Sequence, residues 1–107
     1  MITIEDFKKV EMKVGRVLSV DDHPAADKLM IIRVDIGEGA PRTLVAGLKE
    51  YYAKEELVGK LIVVVSNLEP ARLRGVTSEG MLLAAQAEGR VVALTLDKDI
   101  APGATVS

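Results

Sequence analysis

Met12-Lys13-Val14-Gly15-Arg16-Val17-Leu18-Ser19-Val20 is the stretch that decides the fold, because its side chains alternate as they do in a β-strand. A glycine in the middle of this strand indicates a sharp bend, of the kind found at the corner of a barrel. The alternation predicts one apolar face, made of Met12, Val14, Leu18 and Val20.

Other short apolar segments follow the first strand at close intervals. Residues 29–36 alternate in the same way and are predicted to turn Met30, Ile32, Val34 and Ile36 inward. Four more strands are predicted at 42–46, 60–68, 81–85 and 91–94. A short helix from Ile4 to Val10, capped by Thr3, and helical turns between Leu48 and Leu57 complete the prediction.

Five or six closely spaced strands with a glycine bend and little helix predict an all-β protein. We expect a five-stranded OB-fold barrel with short helices and a C-terminal extension, in a single domain of residues 1–107. A β-sandwich is the alternative, but the helical turns between the third and fourth strands favour the OB-fold arrangement.

Composition excludes several classes of protein. The chain has 107 residues, of which 49% are hydrophobic, and it contains no cysteine. A disulfide framework, a thiolate metal site and a thiol nucleophile are therefore ruled out. No apolar run reaches the roughly 18 residues that a membrane span needs. The acidic start Met1–Asp6 lacks the features of a signal peptide, so we expect a cytoplasmic protein.

Charge and aromatic content speak against nucleic acid as a partner. The net charge is −2, whereas nucleic-acid-binding domains are more often basic. Aromatic residues make up only 3% of the chain, which disfavours binding of single strands by base stacking. Only a local cluster of positive side chains would reverse this expectation.

No catalytic or metal site is evident in the sequence. His23 is the only histidine, no Gly-x-Ser-x-Gly elbow accompanies it, and we interpret it as a turn residue before Pro24. One histidine without cysteine is inadequate for zinc. Gly75 and Gly80 have the spacing of a phosphate loop, but the required Lys-Ser/Thr is missing. We therefore expect no enzyme activity, no cofactor and no metal.

The segment from Asn67 to Met81 is the most informative for function. Arg72 and Arg74 are two residues apart, so in an extended chain they would project to the same side. Two guanidinium groups on one side suit phosphate oxygens. Asn67 and Ser78 add neutral donors at the flanks. The alternative is a solvated connection whose arginines maintain solubility.

Residues outside this segment or at its end bear on its function as well. Lys13 and Lys28 would enlarge a positive patch if the fold brought them close to the arginines. Met81, Leu82 and Leu83 either join the core or face a partner, as exposed apolar patches often do in oligomers.

Four segments resemble the tRNA-binding domain family, an OB-fold module found at the C-terminus of methionyl-tRNA synthetases and in free-standing tRNA-binding proteins. The segments are 12–17, 23–29, 44–48 and 67–81. The last is similar to the family pattern Asn-Leu-x-Pro-x-Lys/Arg-x-Arg-Gly-x-x-Ser-x-Gly-Met. These matches are spread over the whole chain in the family's order.

The resemblance implies a non-catalytic module that binds tRNA by its backbone and shape, with little sequence preference. It also implies a homodimer, and a methionyl-tRNA synthetase catalytic body as a partner. Carried over residue by residue, it gives as RNA-contacting candidates Asn67, Arg72, Arg74, Ser78 and Met81, followed by Lys28 and Lys13.

Two other functions stay open at this point. One is a dimerisation or scaffold domain with little affinity for RNA, which the acidic charge favours. The other is an export-related chaperone of the CsaA type, which needs an exposed apolar groove. If the chain does bind RNA, its acidic background predicts weak binding that falls steeply with salt.

Overall fold

The strand that contains Gly15 is the longest in the computed structural model, which describes residues 1–107. Two single-turn helices and nine other strands accompany it, so the predicted all-β class is confirmed. In chain order the elements are α1 (Ile4–Phe7), β1 (Met12–Asp22), β2 (Met30–Asp35), β3 (Arg42–Ala46), α2 (Lys54–Leu57), β4 (Leu61–Val65), β5 (Ala71–Leu73), β6 (Val76–Ser78), β7 (Met81–Leu82), β8 (Ala84–Ala87), β9 (Arg90–Ala93) and β10 (Thr105–Val106).

The main sheet follows the path β3-β2-β1-β4-β7, with β10 added beside β1. β1 pairs with β4 along its first half and with β2 along its second half, so it passes from one side of the barrel to the other. A Cβ on Gly15 would lie 2.5 Å from the Val34 side chain, so only glycine fits this crossing. The five-strand path, bent in this way, is the predicted OB-fold barrel.

Strand β6 closes the gap between the two ends of this path. The backbone N–H of Val45 in β3 donates to Ser78 Oγ at 2.9 Å, and the Glu79 N–H donates to Thr43 O at 2.8 Å. β6 also pairs with β5 in a short hairpin that stands at the barrel surface. The position of this hairpin is therefore fixed at its base by the closure of the barrel.

The core contains the four residues of 29–36 that were predicted to face inward, each at most 3% exposed. The predicted inward face of β1 is wrong at Leu18, which is 46% exposed. A register shift between Val17 and Ser19 makes Leu18 the extra residue of a bulge, and Val17 enters the core in its place.

Three predicted segments differ from the structure in extent. β4 ends at Val65 instead of residue 68, because the Ser66 N–H donates to Glu11 O outside the ladder. The strand predicted at 81–85 is divided into β7 and β8. The helix near the N-terminus is capped by Thr3 as predicted but ends at Phe7, and none of its residues is buried.

Candidate nucleic-acid interface

The hairpin of β5 and β6, which we call the arginine hairpin, carries Arg72 in its first strand and Arg74 in its turn. Leu73 pairs with Val76, so the turn consists of two residues. Both have positive φ, 53° at Arg74 and 91° at Gly75, which defines a type I′ turn. The assumption that the chain runs extended through both arginines is therefore wrong at Arg74.

Both arginines are nevertheless on the solvent side of the hairpin. Ser78 faces the barrel and pairs with Ala71, so the next pair, Arg72 and Thr77, faces outward. Arg74 lies at the tip, in an exposed turn. No carboxylate lies within 4.0 Å of either guanidinium group. Both groups are thus free to bind an anion.

Two of the six guanidinium groups in this protein are held in ion pairs. Arg16 is paired with Asp99 at 2.8 Å and Arg42 with Glu38 at 2.9 Å, so these two would have to leave a partner to bind phosphate. Four of the six arginines make no ion pair: Arg33, Arg72, Arg74 and Arg90.

The base of the arginine hairpin is held by Arg42. Its guanidinium makes two 2.9 Å bonds to the Glu38 carboxylate and also donates to the carbonyl oxygens of Ser66 and Glu79. These bonds tie β3 to the segments that enter and leave the hairpin. The bond from Arg42 lowers the pKa of Glu38, and Glu38 in turn raises the pKa of Arg42.

The two candidate lysines stand on different elements, Lys28 in the loop that follows β1 and Lys13 near the start of β1. Lys28 belongs to the loop 23–29, which reaches the arginine hairpin through a 3.0 Å bond between His23 Nε2 and Leu73 O. Its 3.7 Å pair with Glu50 is exposed and therefore weak. Lys13 is the second residue of β1 and lies near Glu38, whose pKa is lowered first by the bond from Arg42 and also by the charge of Lys13. Lys28 is thus linked to the tip of the arginine hairpin through the loop 23–29, and Lys13 lies nearer to Glu38 and Arg42, which hold the base of the hairpin.

The side chains of Asn67 and Ser78 are used inside the protein. Asn67 Oδ1 accepts from the Glu11 N–H at 2.9 Å, and its Nδ2 donates to Lys9 O at 2.7 Å. Ser78 is only 5% exposed, and besides accepting from β3 it donates to Gly80 O. Both side chains therefore have hydrogen-bond partners within the fold. Their place in the family pattern fits the folding of this segment.

Met81 lies on β7 opposite Val65 and is 49% exposed. It borders an apolar groove of about 250 Å³ whose walls include Leu48 and Val91. Leu82, on the same strand, packs against the core. Of the apolar residues that the sequence left undecided, Met81 thus faces the outside and Leu82 the inside.

His23 and Arg33 were not among the candidate site residues indicated by the sequence. His23, interpreted as a plain turn residue, is 6% exposed and bonded at both ring nitrogens. Arg33 stands exposed on β2, with Ser19 and Thr43 as its cross-strand neighbours. The alternation of 29–36 places Arg33 outward, so that signal was present in the sequence.

The structure holds no group of three or more His, Cys, Asp or Glu side chains that is able to bind a metal ion. Neither of its two helices has the length and apolar character that are needed to cross a membrane.

A family model described as "Putative tRNA binding domain" matches residues 12–105. The methionine–tRNA ligase of Nanoarchaeum equitans is 53% identical over 107 residues, and that of Pyrococcus furiosus is 50% identical over 105 residues. These alignments cover 99% and 98% of this chain but only 14% of each ligase. The chain therefore spans about one seventh of the length of these relatives.

Two crystal structures have the same fold over the whole chain. A MetRS-related protein from Pyrococcus horikoshii superposes with a TM-score of 0.92 at 35% identity, covering 100% of this chain and 98% of that one. The chaperone CsaA from Bacillus anthracis superposes with a TM-score of 0.90 at 30% identity, covering 100% and 99%. Together with the family match over 12–105, these likenesses show that the chain belongs to the tRNA-binding domain family.

Proposed function

We propose that this chain is a non-catalytic module that grips the sugar-phosphate backbone of folded tRNA with Arg72 and Arg74, assisted by Lys28. The observation that carries the proposal is the arginine hairpin itself. It presents two guanidinium groups without carboxylate partners at one end of an otherwise acidic barrel.

Phosphate contacts are the type of recognition that this surface supports. A guanidinium group makes paired hydrogen bonds to phosphate oxygens and keeps its charge at every physiological pH. None of the three aromatic side chains belongs to the arginine hairpin, so base stacking there has no platform. Contacts to the outside of a folded RNA need no stacking, because they read backbone and shape.

Arg33 and Met81 extend the proposed surface. Arg33 supplies a third free guanidinium group, on the exposed face of β2. Met81 supplies an exposed apolar side chain after β6, suited to a sugar or the face of a base. Both are weaker candidates than the hairpin arginines, because no contact in the structure ties either of them to the hairpin tip.

A tRNA titration at two salt concentrations tests the proposal. We expect the parent to bind, with an affinity that falls steeply as salt rises. Replacing Arg72 and Arg74 by Ala should weaken binding uniformly across tRNA species. It should also reduce the salt slope by about one for each lost phosphate contact. Arg90→Ala is the matched control, since it removes an equally free arginine from the other hairpin.

Binding by the double variant that equals that of the parent would show that the arginine hairpin is not the contact surface. Equal losses in the double variant and in Arg90→Ala would point to net charge instead of position. A parent that retains no tRNA at low salt would favour the scaffold function.

We also propose that the module works beside a methionyl-tRNA synthetase catalytic body, in the cytoplasm where translation takes place. The high identity to a short region of methionine–tRNA ligases supports this partner. In such an assembly the module would raise the local concentration of tRNA at the catalytic body. Co-sedimentation with a synthetase catalytic fragment, with and without tRNA, tests the association.

A second copy of the chain is the proposed occupant of the apolar surface around α1. Ile4, Phe7 and Val10 are exposed there, and a groove of about 310 Å³ separates α1 from Val106 in β10. A homodimer would cover these side chains and present two arginine hairpins to one RNA. Sedimentation over a range of concentrations should show a dimer that Phe7→Glu converts to monomer. A monomer at every concentration contradicts it.

The likeness to CsaA chaperones supports one alternative, in which the apolar groove beside Met81 binds unfolded chains. An aggregation assay separates the two functions. Protection of an unfolding client that survives the double Ala change at the arginines, without tRNA binding, would favour the chaperone function.

A further inference from the structure

His23 lies at the junction of two segments, the loop that holds Lys28 beside Asp27 and the hairpin that holds Arg72 and Arg74. Its backbone N–H donates to Leu29 O, which closes the neck of the loop 23–29, and this loop holds Lys28. Its imidazole ring is buried beneath the arginine hairpin. The ring therefore touches both the loop and the hairpin.

The hydrogen bonds of the ring determine its protonation pattern. Nδ1 lies 3.0 Å from the Ala25 backbone N–H, and it must accept from that donor. Nε2 then carries the hydrogen and donates to Leu73 O at 3.0 Å. Because the acceptor carbonyl belongs to the peptide unit that joins Leu73 to Arg74, the ring holds the first peptide of the turn.

The bond between His23 Nε2 and Leu73 O acts near the tip of the hairpin and not at its base. It is the only hydrogen bond that residues 71–77 make outside their own hairpin. The base of the hairpin is held separately, by the bonds of Ser78 and Glu79 to β3. Without the ring, the tip that carries Arg74 would have no hydrogen bond to the barrel.

We infer that His23 is a positioning residue for tRNA, which fixes the Arg74 guanidinium relative to Lys28 so that both meet one phosphate backbone. This inference rests on the proposed function. The physical reason is that a charge held at the right distance binds without the loss of conformational freedom that a mobile charge incurs.

Two substitutions separate the two bonds of the ring. In His23→Asn, the amide oxygen takes the place of Nδ1 and keeps the bond to the Ala25 N–H, but nothing reaches Leu73 O. In His23→Gln, the longer side chain places an N–H near the position of Nε2 and restores the bond to Leu73 O. Both replacements are neutral and polar, so the net charge stays the same.

The test measures tRNA affinity, salt slope and thermal unfolding of both variants. His23→Asn should bind tRNA roughly fivefold more weakly, the effect expected for one lost hydrogen bond, and His23→Gln should stay within about twofold of the parent. With Arg74→Ala already present, His23→Asn should cause no further loss, because the two side chains act through one contact. Amide hydrogen exchange without RNA should rise at residues 71–77 in His23→Asn only.

The possible failures are distinguishable. A parent that does not bind tRNA refutes the proposed function on the parent alone. A parent that binds, with His23→Asn binding equally well, overturns the positioning role. Equal losses of tRNA affinity in His23→Asn and His23→Gln also overturn it. So does a full further loss of affinity when His23→Asn is added to Arg74→Ala. If both variants are unfolded, the positioning role is tested on the parent, by nitrogen NMR of the His23 ring. In the RNA complex Nε2–H must be protected from exchange, and free exchange there refutes the role.

Discussion

Replacing Arg74 by Asn should make the protein more stable and its binding of tRNA weaker. Arg74 has a φ of 53°, a left-handed conformation that Asn adopts more readily than Arg does. Relief of this conformational cost should raise the free energy of unfolding by about 0.5–1 kcal/mol. For a domain of this size the melting temperature should rise by roughly 2–4 °C.

The expected loss of affinity follows from one phosphate contact. Each neutralised phosphate contributes about 0.9 to the slope of log affinity against log salt concentration. Loss of one such contact should therefore weaken tRNA binding roughly eightfold at about 0.1 M salt, with 1 M salt as the reference at which the contact contributes nothing. Filter binding or fluorescence titration at several salt concentrations measures both quantities. Thermal unfolding followed by circular dichroism measures the stability.

The chain contains its own control for this experiment. Glu88 precedes Gly89 in the turn of β8 and β9 and also has a φ of 53°. Glu88→Asn should therefore stabilise the protein by a similar amount and leave tRNA binding intact. If Arg74→Asn binds tRNA as tightly as the parent with an unchanged salt slope, Arg74 makes no phosphate contact and the proposed interface is wrong at its tip.

Three further outcomes test the fold. Gly15→Ala should lower the free energy of unfolding by about 1–3 kcal/mol, because the new Cβ would meet the buried Val34 side chain. The control is Gly39→Ala, which has open space around it and should change the melting temperature little. Ser78→Ala should destabilise the barrel by about 1–3 kcal/mol, since a β3 N–H loses its acceptor, with tRNA affinity unchanged when measured well below the melting temperature. Glu38→Gln should lower stability at neutral pH. The folded-state pKa of Glu38 is below its ordinary 4.5. The difference in the free energy of unfolding between parent and variant should therefore be full above pH 4.5 and vanish as the pH falls through the lower pKa. Urea unfolding at several pH values measures this difference.

The sequence predicted the fold well where local alternation decides the structure. The inward face of 29–36 follows from side-chain period alone, and the close packing around Gly15 fits a glycine inside a strand. Leu18 was misassigned because a bulge depends on how two strands pair, which one strand's pattern does not contain. The turn at Arg74 was missed because Arg-Gly lacks the usual Asn-Gly or Asp-Gly signal.

The candidate site was predictable in composition and less so in geometry. The charges of Arg72 and Arg74 are visible in the sequence, and so is their place in the family pattern. The internal use of Asn67 depends on Glu11, which is 56 residues away along the chain. The contact of His23 with Leu73 spans 50 residues. Such long-range partners are set by the closed barrel, so a polar residue in a motif does not reveal whether it faces a ligand or its own fold.

The pairing of β10 with the first residues of β1 decides how this barrel can be joined to a larger assembly. Met12 lies opposite Val106, so both chain termini leave the barrel on one side, with α1 beside them. The tip of the arginine hairpin contacts His23, just beyond the last residue of β1, whereas the segment that enters the hairpin is bonded to Lys9 and Glu11 beside the start of that strand. A polypeptide fused to either terminus would therefore be tethered where β1 begins, whereas the tip that carries Arg74 lies beside the residue that follows the end of β1.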